Sequence, residues 1–182
     1  MGYLIREDNL IKIYSPLFNK YICDSKQIVY NDSIIKAYKG PDPYIFVSYS
    51  HKDSKEVLEE IKTFQRLGYR VWYDEGIDVG EEWPDEIADA LKKSDKFVVF
   101  ISSNSINSKN VKNEINYARD ENKDFIAIHL SKTELPPGIK MRISTIQAIF
   151  KYDLLYNNIG LYIEKLKESL GINCLDVNYN KW

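Results

Sequence analysis

Between residues 44 and 170 the apolar positions follow two spacings in turn. "YIFVSY" (44–49) is a short aromatic and β-branched run that predicts a buried strand. After "SHKDS", residues Val57, Leu58, Ile61, Phe64 and Leu67 recur at helical spacing as far as Gly68, which predicts a helix and its stop. "RVWYDE" (70–75) predicts a second strand and "GIDVG" (76–80) a loop. Pro84, Asp85 and Glu86 then open a helix, since proline suits a first turn and acids suit its positive end. Trp83, Ile87 and Leu91 give that helix one apolar stripe.

"KFVVFIS" (96–102) is apolar on both alternations, as a strand covered on both faces has to be. A helix is predicted over 108–121, a fourth strand at "DFIAIHL" (124–130) and a fifth at "STIQAIFKY" (144–152). Ile159, Ile163, Leu166 and Leu170 line one side of a last helix. Strands and helices in alternation predict an α/β fold, a doubly wound five-stranded parallel sheet with helices on both faces. Such sheets bind ligands outside the carboxyl ends of their strands.

Residues 1–40 break the pattern. "LIKIYS", "KYICD" and "QIVY" are strand-like fragments and "DSIIKAY" spans a helical turn or two. Asp42 between Pro41 and Pro43 punctuates the chain before the first sheet strand. We divide the chain into an extension at 1–40 packed on the domain or a partner, a domain at 41–171, and a tail at 172–182.

Composition narrows the classes. Hydrophobic residues make up 44% and charged residues 29%, a globular balance, and the net charge of −2 gives no pull toward nucleic acid or anionic membrane. No apolar run approaches the roughly 20 residues that span a bilayer. Arg6, Glu7, Asp8 and Lys12 interrupt the start where a signal peptide needs an apolar stretch, so a cytoplasmic location is expected. Cys23 and Cys174 form no disulfide framework, and His51 and His129 lack metal-ligand spacing.

Three polar segments should meet at the carboxyl edge: "SYSHKD" (48–53), "WYDEGIDVGEEW" (72–83) and "SSNSINSKNVKNE" (102–114). In order and spacing, "DPYIFVSYSHKD", "GYRVWYDEGIDVGEEWPDEIADAL" and "KFVVFISSNSINSKNVKNEINYA" resemble the successive boxes of a Toll/interleukin-1 receptor (TIR) domain of bacterial type. The resemblance covers roughly residues 42 to 170 and implies a flavodoxin-like sheet.

It also implies an activity. Many TIR domains cleave the nicotinamide–ribose bond of NAD+ with a glutamate on the helix after the third strand, and Glu114 matches that residue. The same resemblance implies that Tyr49, Ser50, Lys52, the Asp74–Gly80 loop and Trp83 frame the nucleotide, with Asn110 beside them. It implies NAD+ as substrate rather than cofactor, self-association through TIR–TIR contacts, and a separate sensor or effector in anti-phage defence. Nucleic acid, membrane and metal are not expected.

The helix geometry agrees with a site role for Glu114. At about 100° per residue, Glu114 falls about 60° from Val111, on the shoulder of the Val111–Ile115–Ala118 stripe. Asn110 and Tyr117 share that flank, while Lys112, Asn113 and Asn116 suit the solvated side. Trp83 stands between a core role and a site role, His51 reads as a polar loop residue, and Lys52 as an exposed lysine beside Asp53 or a phosphate contact. Gly76 and Gly80 lack the spacing of a phosphate-cradling loop.

One departure stands out. Many relatives carry tryptophan four residues before the glutamate, where this chain has Asn110. A second reading is therefore a non-catalytic TIR module working through homotypic assembly. A phosphoacceptor receiver domain shares the sheet order but needs an aspartate ending the third strand, where this chain has "ISSNS".

Overall fold

In the computed structural model, residues 4–7, 10–13, 36–75, 84–157 and 159–171 are described. Within them β1 (Leu4–Glu7) and β2 (Leu10–Ile13) form an antiparallel pair, with Leu4 opposite Ile13. The sequence pattern marked β2 within "LIKIYS" and missed β1. "KYICD" and "QIVY" lie outside the described residues, and residues 36–38, the end of "DSIIKAY", are not helical.

The main sheet has five strands, all parallel: β3 (Ile45–Ser48), β4 (Val71–Tyr73), β5 (Lys96–Ile101), β6 (Asp124–His129) and β7 (Gln147–Phe150). Their spatial order is β4-β3-β5-β6-β7, so the chain winds first to one side of β3 and then to the other. This is the doubly wound α/β sheet expected from the pattern. The helices are α1 (Ser54–Arg66), α2 (Pro84–Lys93), α3 (Lys109–Asp120), α4 (Pro137–Ile143), α5 (Lys151–Asn157) and α6 (Ile159–Leu170).

Strand alternation sorts the core into two layers. Ile45 and Val47 of β3 and Tyr49 after it pack with Val57, Ile61 and Phe64 of α1 and Leu166 and Leu170 of α6. Tyr44 before β3 and Phe46 within it pack with Leu91 of α2 and Val111, Ile115 and Ala118 of α3. Fully burying such a side chain contributes about 1.5–3 kcal/mol, which explains why β5, apolar on both alternations, lies mid-sheet. Gly68 stops α1 with φ at 90°, a conformation that a side chain would strain. Lys123 donates to the carbonyls of Lys92 and Ser94 at the end of α2, a cation where the helix dipole is negative.

Two helices were not anticipated. α4 starts at Pro137 and α5 at Lys151, so "STIQAIFKY" is a strand only over Gln147–Phe150. Lys151 is buried by partners on a distant helix, which local spacing cannot reveal. Just before the sheet, Tyr38 N donates to Val71 O at 2.8 Å and Ala37 N to Glu75 Oε1 at 2.6 Å, so this stretch lies against β4. No helix among the described residues is long and apolar enough to cross a membrane.

Candidate active site

The chain turns from one side of the sheet to the other between β3 and β5, and a cleft of about 380 Å³ opens beyond their carboxyl ends. That volume lies at the low end of the range for small-molecule sites, about 300–1,000 Å³. Three segments shape it.

The first leaves β3. Because successive strand residues face opposite ways, Ser48 shares the face of Phe46 and is directed at α3. Ser48 is 1% exposed, and its hydroxyl donates to Glu114 Oε2 at 2.5 Å. Tyr49 and Ser50 follow, then a short 3-10 turn over His51–Asp53 whose first carbonyl accepts from Ser54 Oγ at 2.5 Å. Tyr49, Ser50, His51 and Lys52 line the cleft.

The second leaves β4. Trp72 stacks on Phe46, ring centroids 4.7 Å apart and planes 14° from parallel, and both border the cleft. The Asp74 carbonyl accepts from Tyr49 Oη at 2.8 Å, and Asp74 Oδ2 stands 3.1 Å from His51 Nε2. Burial, aided by the Asp74 charge, pushes the Tyr49 phenol up to about 12, so it stays a hydrogen-bond donor at neutral pH.

The third leaves β5. Ser102 Oγ donates to Asp53 Oδ2 and Asn104 Nδ2 to Asp53 Oδ1, each at 2.5 Å, tying the loop after β5 to the turn after β3. Ser105 and Ser102 satisfy each other within that loop. Ser108 then caps α3, accepting from Val111 N at 3.3 Å, and so fixes where the helix begins and which way Glu114 faces.

Glu114 is half-buried on the shoulder of the Val111–Ile115–Ala118 stripe. The cleft reaches the residue from solvent, yet its carboxyl is packed closely enough that lost hydration dominates its titration. Burial pushes it up to about 7, the Ser48 hydrogen bond works against the rise, and the Asp74 charge adds to it. Among the described residues no cation pairs with it. A carboxylate in that position can stabilise positive charge developing on a bound molecule.

Six of the eight residues singled out from the sequence, Tyr49, Ser50, Lys52, Asp74, Asn110 and Glu114, line this one cleft. Gly80 and Trp83 lie outside the described residues. Asn110 is exposed on the rim, so the aromatic surface of the cleft comes from Phe46, Trp72 and Tyr49. Ser48, Trp72 and Asn107 fall within the three segments expected at this edge, and Trp72 was one candidate for the missing aromatic, but sequence reasoning did not single out Ser48 or Asn107 as site residues. It read His51 as a polar loop residue and Lys52 as an exposed lysine beside Asp53 or a phosphate contact, and Lys52 is exposed on the cleft. His51 lines the cleft next to Asp74, and Asp53 is engaged by Ser102 and Asn104. Alternation along "YIFVSY" puts Ser48 on the Phe46 face, and that was the available signal. No group of metal-binding side chains is found among the described residues.

A family model described as TIR domain matches residues 45–157. Among solved structures, the chain is similar to the TIR domain of the Toll-related receptor TRR-2 from Hydra magnipapillata, 14% identical over 68% of this chain and 97% of that one, with a TM-score of 0.52. A CMP N-glycosidase from Clostridium botulinum, BcmB, is 20% identical over 68% of this chain and 98% of that one, with a TM-score of 0.46. The first likeness bears on the fold alone. No curated protein matches the chain.

Proposed function

The chain belongs to the TIR domain family, and from that premise we propose that it is an NAD+ glycohydrolase or ADP-ribose cyclase acting through Glu114. The observation that supports this reading most is the Glu114 carboxylate, reached by the cleft, hydrogen-bonded by Ser48 and paired with no cation among the described residues. An acid placed that way is costly for stability and useful for chemistry.

The reaction asks for little else. The bond between the ribose anomeric carbon and the nicotinamide nitrogen breaks with its electron pair going to nitrogen, so a pyridinium leaves as a neutral pyridine. No proton has to be donated to it. Positive charge appears at the anomeric carbon and ring oxygen, and the Glu114 carboxylate stabilises it or holds the ribose hydroxyls while it forms. Water, or an atom of the adenine, then attacks that carbon and loses a proton. Trp72 and Tyr49, which border the cleft, would meet a base, and Lys52 and His51, which also line it, would receive negatively charged oxygens of a nucleotide. Further copies of the chain, and a separate sensor or effector in a defence system, are the partners this reading carries with it.

The test incubates the protein with NAD+ at high protein concentration or with a crowding agent, beside Glu114→Gln. Nicotinamide release by the parent and none by the folded variant is the expected result. Equal silence from both, with concentration-dependent self-association, would transfer the case to an assembly module.

A further inference from the structure

Ser48 occupies the last position of a strand that is buried along its whole length, and it is itself 1% exposed. A hydroxyl there gains nothing from burial unless it is hydrogen-bonded. Its acceptor is Glu114 Oε2, 66 residues away in sequence and 2.5 Å away in space. A hydroxyl donating to a carboxylate makes a charge-assisted bond, stronger than one between neutral groups. The bond holds one carboxyl oxygen, and among the described residues no hydrogen bond holds the other.

We propose that Ser48 is a positioning residue: it anchors one oxygen of Glu114, favours the charged form of the carboxylate and leaves the other oxygen free for the sugar. The effect on rate rests on the glycohydrolase reading above, whereas the effect on the carboxyl does not. The groups around Glu114 all matter to its charge. Asp74 beyond β4 opposes ionisation, Tyr49 stays protonated, and His51 and Lys52 line the same cleft from the turn after β3. Ser48 is the donor that works against burial and Asp74 together.

The experiment follows the Glu114 carboxyl by carbon-13 NMR in protein labelled at glutamate side chains, its signal assigned by loss in Glu114→Gln, and measures nicotinamide release across the same pH range. In Ser48→Ala the Glu114 midpoint should move up by about one pH unit or more. Turnover at pH 7 should fall by about tenfold, with KM nearly unchanged, and the deficit should shrink as pH rises toward 9. Ser48→Thr, which restores the hydroxyl, should bring the midpoint back. Ser48→Cys, close in size and a weaker donor, should fall between and covers the case in which the alanine variant misfolds. A midpoint that stays put in the alanine or cysteine variant overturns the proposal, even if NAD+ is cleaved. A midpoint that moves as stated while the parent releases no nicotinamide upholds Ser48 and removes the NAD+ reading instead.

Discussion

Two glutamates sit on helices that pack against opposite faces of the same sheet, and the protein treats them differently. Glu60 of α1 is 8% exposed. Lys151 Nζ stands 3.0 Å from its Oε1, and Tyr162 Oη donates to its Oε2 at 2.5 Å. Lys151 also reaches Glu56 at 2.7 Å. Burial alone would depress the lysine, but Glu60 and Glu56 outweigh it and hold it above its ordinary value. Tyr162 is pushed well up by burial and by Glu60. Glu114 of α3 has a serine hydroxyl and a like charge nearby, and no cation among the described residues. One carboxylate has been neutralised in place and belongs to the structure. The other is held uncompensated beside a cleft, which is the arrangement that chemistry needs and folding does not.

The contrast breaks most visibly at Lys151. Replacing it with methionine leaves Glu60 buried without its cation, at a cost of about 3–5 kcal/mol, or a Tm lower by about 10 °C. Calorimetry that found the variant as stable as the parent would mean the pair is not what satisfies Glu60.

Glu114→Gln should do the reverse, sparing the fold and removing function. The amide still accepts from Ser48, while nicotinamide release should fall by at least about a hundredfold.

The same variant sharpens the comparison through stability. Because the folded carboxyl titrates near 7 and an unfolded one near 4.5, its stabilising share is complete below the lower value and lost as pH rises through the upper. Glu114→Gln should therefore be more stable than the parent at pH 8, by about 1–3 kcal/mol, and nearly equal to it at pH 5. Denaturation curves at the two pH values decide it, and a gap independent of pH would contradict the buried-carboxyl account.

Tyr162→Phe, the mildest change, removes one hydrogen bond to Glu60 and should cost about 1–2 kcal/mol with nicotinamide release intact. A loss of activity without a loss of stability would show that the two faces are coupled after all.

The fold could be read because its determinants are local. Alternation along Ile45–Ser48, two-sided apolarity in Lys96–Ile101, the α1 stripe ending at Gly68 and the α3 stripe of Val111, Ile115 and Ala118 each lie within a few residues. The position of Glu114 was legible for the same reason, since its place on the shoulder follows from helix spacing, while the role proposed for it rests on a resemblance. What escaped depends on partners far along the chain. Ser48 needs α3 to explain it, His51 needs Asp74, and the burial of Lys151 needs Glu56 and Glu60. α4 and α5 span seven residues each, too few for a spacing pattern to declare itself.

The most direct test of an uncompensated, buried carboxylate doing the chemistry is the pH dependence of kcat/KM for nicotinamide release. The account predicts a rising limb with a one-proton midpoint near 7, because the charged form works and burial delays it. A rate that is flat from about pH 5.5 to 8.5, past the ordinary carboxyl range, would contradict it, as would the same limb persisting in Glu114→Gln.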